Sequence, residues 1–190
     1  MNMLKNIRMA KHESDFKVVI DGGEEGLARL VNSATSRQKT TIMLADTQMP
    51  EPIERVEVYV KAGVGSIVGH SGYSLDAKLV PCAGQRLPIK RSSFSGFEVS
   101  KSSNYYILHS PRLPDHSSIG VHLNWPGNDN GIQLRHFATY GRGTRLLQQE
   151  VGEGITAFAM ALEATINSVY RSAGKPAPKN PLVLQQLYRT

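Results

Sequence analysis

The run Ile53–Ala62 (IERVEVYVKA) constrains this chain more than any other stretch. Val56, Val58 and Val60 alternate with Arg55, Glu57, Tyr59 and Lys61. Successive strand residues point to opposite faces, so strict period-two alternation describes a strand with one packed face and one wet face. Residues 37–48 (RQKTTIMLADTQ) read as a second strand. There Thr40, Ile42 and Leu44 share one face, and Lys39, Thr41, Met43 and Ala45 share the other. Met49-Pro50-Glu51-Pro52 breaks that run, and two strands joined by so short a turn predict a hairpin.

Residues 15–21 (DFKVVID) predict a first strand with Phe16, Val18 and Ile20 on one side, turned by Gly22-Gly23. Residues 25–32 fit either a short strand or a helical turn. Residues 63–118 are rich in Gly, Ser and Pro around short apolar patches at Ala77-Lys78-Leu79-Val80 and Tyr105-Tyr106-Ile107-Leu108. They read as short strands in long exposed loops. Residues 119–125 (IGVHLNW) alternate again, with Val121, Leu123 and Trp125 on one side; 127–131 (GNDNG) form a turn, and 132–140 read as another strand.

The period then changes. Ile155, Phe158, Ala159, Leu162, Ile166, Val169 and Tyr170 recur at spacings of three and four, which predicts an amphipathic helix over 154–172 of about five turns. Gly174 ends it, 175–181 (KPAPKNP) form a rigid connector, and 182–188 (LVLQQLY) read as a short second helix. Strands followed by helices define an α+β chain. It reads as one domain over 1–190, an antiparallel sheet followed by one long and one short C-terminal helix, with an inserted loop or hairpin region at about 63–118.

Hydrophobic residues make up 40% of the chain, enough for a packed core. Lys and Arg total 22 against 16 Asp and Glu, a net charge of +6, which suits a polyanionic partner. The single cysteine, Cys82, excludes an intrachain disulfide. The histidines never take the spacing of a metal site, so neither metal nor cofactor is expected. No apolar run approaches the length of about 18 residues that a membrane span needs. Residues 1–11 are basic without an apolar signal core and read as an arm.

Apparent enzyme motifs fail on their spacing. Gly63-Val64-Gly65-Ser66-Ile67-Val68-Gly69 places its third glycine one residue late for a dinucleotide fingerprint, and no helix pattern follows to hold a pyrophosphate. Gly69-His70-Ser71-Gly72-Tyr73 ends in Tyr where a nucleophile elbow needs Gly. Asp115-His116-Ser117 sets triad residue types side by side, whereas triads converge in space. Glu150 and Glu153 suit the start of a helix, complementing its dipole.

The wet sheet face remains. If the two runs pair in the phase read above, Lys39, Thr41, Met43, Arg55, Tyr59 and Lys61 lie together. Such cations neutralise phosphate, a Tyr ring stacks an unpaired base, and Thr offers a hydroxyl. Glu57, in the middle, equally fits a solvated face of cross-strand charge pairs.

Residues 15–61 resemble the N-terminal half of levivirus coat proteins, the shells of single-stranded RNA bacteriophages. The similarity lies in the order of a first strand, a glycine turn, a G-x-A segment (Gly26-Leu27-Ala28), a basic strand with alternating Thr, and a strand alternating polar residues with Val. The C-terminal EGITAFAMALEATINSV followed by a Pro break and NPLVLQQLY is similar too. The resemblance implies a non-enzymatic capsid protein that forms an interlocked dimer, with helices crossing onto the partner's sheet. It implies a quasi-equivalent icosahedral shell assembled in the host cytoplasm, single-stranded RNA held on the sheet, and repression of translation through an RNA hairpin. On this reading Lys39, Thr41, Met43, Arg55, Glu57, Tyr59 and Lys61 face RNA, while Thr40, Ile42, Leu44, Val56, Val58 and Val60 face the helices. The last sheet strand is either 119–125, which adds His122 and Asn124 to the RNA face, or 132–137, which adds Gln133 and Arg135; the cleaner alternation favours the first. Met43 stands where the family commonly has a small polar residue, Glu57 puts a carboxylate near phosphate, and 63–118 is longer than the family's connection. Two other classes stay open: a nucleic-acid-binding regulator that builds no shell, and a small α+β enzyme with its site in residues 63–118.

Overall fold

The computed structural model describes residues 16–20, 22–23, 25–26, 29, 41–45, 49–62, 71–94, 96–101, 105–109, 120–124, 131–140 and 148–187. Its strands are β1 (Val18–Ile20), β2 (Thr41–Ala45), β3 (Ile53–Ala62), β4 (Ser71–Pro81), β5 (Glu98–Lys101), β6 (Tyr105–His109), β7 (Gly120–Asn124), β8 (Ile132–Tyr140) and β9 (Leu182–Leu187). They form a nine-stranded sheet in the order β1-β9-β2-β3-β4-β8-β7-β6-β5. Every pairing is antiparallel except that of β1 with β9. The long helix is α1 (Gln148–Ser172), and Arg91–Ser93 form one turn of 3-10 helix. Sheet and helix together confirm the mixed α+β class, with one long helix among the described residues.

Val56, Val58 and Val60 of β3 are buried with Tyr73, Leu75, Ala77 and Leu79 of β4 and Ile132 and Leu134 of β8. The predicted alternation of β3 is therefore the alternation of the core. α1 lies against β1, β4, β7 and β8. Its Ile155, Phe158, Leu162, Ile166 and Val169 join the same cluster, each such side chain contributing roughly 1.5–3 kcal/mol of transfer free energy. The helix begins earlier than the periodicity predicted, so Glu153 is a buried residue of its second turn rather than a charge at its start. It ends as expected. Gly174, at φ 68°, turns the chain while the Lys175 amide donates to the Tyr170 carbonyl at 2.9 Å.

α1 is buried almost all round. Thr165 and Ser168, off the predicted apolar stripe, are as inaccessible as Leu162. The 3-10 turn also packs on α1, where the Lys90 amide donates to Ser172 Oγ at 3.1 Å. Flanking it, Leu87, Ile89 and Phe94 complete the core.

Three expectations need correction. Residues 182–187 form strand β9, not a second helix. Leu182 and Leu184 are buried and Val183 is exposed, a period of two, and both edges of β9 are used, by β1 on one side and β2 on the other. The stretch read as short strands in exposed loops contains β4, which is paired with both β3 and β8 from Tyr73 to Leu79. Its alternation, Tyr73-Ser74-Leu75-Asp76-Ala77-Lys78-Leu79, runs well beyond the short apolar patch noted in the sequence. Finally, the two candidates for the last strand are not exclusive, because β7 and β8 are neighbours in one sheet.

Candidate nucleic-acid interface

The face of the sheet opposite α1, the open face, carries the exposed side chains of Arg55, Gln133, Arg135 and Phe137 among the described residues. Directly paired residues of neighbouring strands share a face, so the register reads out its surface as rows. One row runs Lys61, Ser74, Phe137. The next runs Tyr59, Asp76, Arg135, His122, Ile107, Ser100, and the third Glu57, Lys78, Gln133, Asn124, Tyr105. Arg55, one step further along β3, is paired with Val80.

Of the residues predicted to meet RNA, Arg55, Glu57, Tyr59 and Lys61 lie on this face, and His122 and Asn124 hold register positions on it. Gln133 and Arg135, the alternative pair, lie on the same face beside them. Thr41 and Met43 do not. Thr41 pairs with Val60 and Met43 with Val58, so both hold positions on the helix-covered face. Ile42 and Leu44, expected against the helix, pair with Tyr59 and Glu57 of the open face instead. A register shift of one residue exchanges the two faces of a strand. The pairing of Ala45 with the buried Leu184 of β9 agrees with the phase adopted. Lys39 and Thr40 lie outside the described residues, as do 63–70 and 115–117. Ser71, Gly72 and Tyr73 open the regular strand β4, with no strand-to-helix elbow.

Two carboxylates organise the centre of the face. Arg55 donates from Nε to Glu57 Oε1 at 2.8 Å and from Nη1 to Glu54 Oε1 at 2.8 Å, while the Tyr59 hydroxyl donates to Glu57 Oε2 at 2.8 Å. On the next strand Ser74 Oγ donates to Asp76 Oδ2 at 2.8 Å, and Arg135 Nε donates to Asp76 Oδ1. Partial burial pushes the Glu57 carboxyl upward, but the Tyr59 and Arg55 hydrogen bonds outweigh it and hold Glu57 below the usual range. The same bonds push the Arg55 guanidinium and the Tyr59 phenol up. Lys61 makes no ion pair among the described residues.

Sequence reasoning missed Ser74, Asp76, Lys78 and Phe137. The β4 residues were legible as the polar half of an alternating strand. Phe137, 51% exposed, gave no signal, since an apolar residue in a strand is ordinarily read as core. Val19 and Val183, paired on β1 and β9, are the other large exposed apolar residues among those described. Among the described residues no group of His, Cys, Asp or Glu could hold a metal, and no helix is long and apolar enough to cross a membrane.

Comparison with protein-family models, with curated proteins and with solved structures returned no match.

Proposed function

We propose that this chain is a non-enzymatic coat subunit of a single-stranded RNA bacteriophage, which self-associates, builds a shell and packages RNA against the open face of its sheet. The observation that carries this reading is the division of the sheet. One face packs against α1 through β1, β4, β7 and β8, and the other presents Arg55, Lys61, Lys78 and Arg135 around the Tyr59 and Phe137 rings. Cations supply phosphate affinity and ring faces accept unpaired bases. The net charge of +6 acts in the same direction. The resemblance of residues 15–61 and of the C-terminal region to levivirus coat proteins supplies the capsid part of the proposal.

Exchange of helices between subunits buries apolar helix surface, but α1 has almost none left uncovered within one chain. Association through the terminal strands, whose outer edges have no strand partner among the described residues, would leave α1 in place. The same burial favours a second reading, an RNA-binding protein that folds and acts without forming a shell.

Substitution tests the RNA part directly. Lys61→Glu replaces an exposed-face cation and leaves the core untouched. It is expected to weaken oligouridylate binding several-fold and to flatten its salt dependence, with the circular dichroism spectrum unchanged. Unchanged RNA affinity would reject the open face as the interface.

A further inference from the structure

The open face carries its own anions, placed where a polyanion would have to bind. Glu57 uses both carboxylate oxygens, one on Arg55 and one on the Tyr59 hydroxyl, at 2.8 Å each. Asp76 does the same, with one oxygen on Arg135 and the other on Ser74 Oγ. The two clusters adjoin, because Tyr59 and Asp76 are cross-strand partners. Both arginines are nevertheless accessible, at 50% and 58% of their side-chain surface. Arginine's fork accepts phosphate and carboxylate in the same geometry. An exposed ion pair is weak, so a phosphate can take the carboxylate's place.

We infer that Glu57 and Asp76 are resident competitors for the RNA-binding face, holding Arg55, Arg135 and the Tyr59 hydroxyl away from non-specific polyanions and yielding them only to RNA that replaces the carboxylate contacts. This rests on the RNA reading above and adds its control. Lys61 and Lys78 attract phosphate generally, and the clasped arginines are engaged only by a well-placed ligand. The carboxylates thus set selectivity by lowering affinity for the wrong ligand.

The test is fluorescence anisotropy of a labelled oligouridylate on the full chain across a range of salt. Glu57→Gln and Asp76→Asn preserve shape and remove charge. Each is expected to tighten binding: Asp76→Asn on the order of tenfold at about 50 mM salt, with a logarithmic salt slope steeper by about 0.7 as Arg135 neutralises one more phosphate, and Glu57→Gln by less, because Glu54 still accepts a hydrogen bond from Arg55 Nη1. Glu98→Gln, at the far edge of the sheet, removes a carboxylate without freeing an arginine and is expected to change neither. The deciding comparison is a double-mutant cycle. In an Arg55→Gln background the tighter binding produced by Glu57→Gln should vanish, since there is no guanidinium left to release. Tightening that persists there reflects general charge removal and overturns the inference. Wild-type binding with no change in either carboxylate variant also overturns it, while leaving the RNA reading intact. If neither wild type nor variants bind, the RNA reading fails and takes this inference with it.

Discussion

The Tyr73 hydroxyl on β4 lies 3.2 Å from Nε2 of His136 on β8, both side chains are buried, and Gly154 of α1 passes directly over them. A Cβ at position 154 would come within 2.2 Å of the hydroxyl and 2.7 Å of the imidazole nitrogen. A missing side chain on the helix is what allows α1 to settle onto a polar pair in the middle of the sheet.

Gly154→Ala is therefore expected to destabilise the fold, although alanine is the better helix former by up to about 1 kcal/mol. Overpacking against two ring-bearing residues should outweigh that preference, for a net loss of about 1–3 kcal/mol in urea unfolding. A stabilised variant would mean that α1 does not approach the sheet this closely.

The C-terminal strand makes a contrasting pair of predictions. Leu184 is buried between neighbouring strands, and Leu184→Ala should cost about 2–5 kcal/mol. Val183, on the open face, should tolerate Lys to within about 0.5 kcal/mol. Equal sensitivity at both positions would contradict the two-residue period of β9.

Tyr170 is a titration probe for the junction of α1 and the β2–β3 turn. Its hydroxyl donates to the Pro50 carbonyl, and burial pushes its phenol up to about 12. Because the folded value lies above the unfolded value of about 10, its contribution to stability is complete below pH 10 and is lost as the pH rises toward 12. Phenolate absorbance should show a late-ionising component that is absent from Tyr170→Phe, and that variant should lose less stability over the same pH window.

Asn167 Oδ1 and Ser168 Oγ are buried in α1 with no hydrogen-bond partner among the described residues. An unsatisfied buried hydroxyl carries a desolvation cost, so Ser168→Ala should be neutral or stabilising by about 1 kcal/mol. Calorimetry of the purified variant would show this as an unchanged or raised Tm, and a clear fall would reveal a partner for Ser168.

Much of this arrangement was legible in residue order, and the failures have physical causes. β3 was readable because every second residue is valine and every other one is polar. α1 was readable because its apolar spacing persists over many turns. β2 was not, because Ile42 and Leu44 on one side and Met43 and Ala45 on the other give both faces apolar residues, leaving the phase to β3 and β9, which are distant in sequence from each other. In 182–187 three apolar residues precede two glutamines, and so short a run fits a helical turn as readily as a strand. The positions of Arg55, Glu57, Tyr59 and Lys61 followed from local alternation. The clasp of Arg135 by Asp76 joins residues 59 positions apart and appears only once β4 and β8 pair.

The most direct test of the central claim is electron microscopy of the full chain produced in bacteria, before and after nuclease treatment. The coat-subunit account predicts uniform round particles that contain nuclease-protected RNA. Small oligomers that hold no RNA, or lose it all to nuclease, would contradict that account.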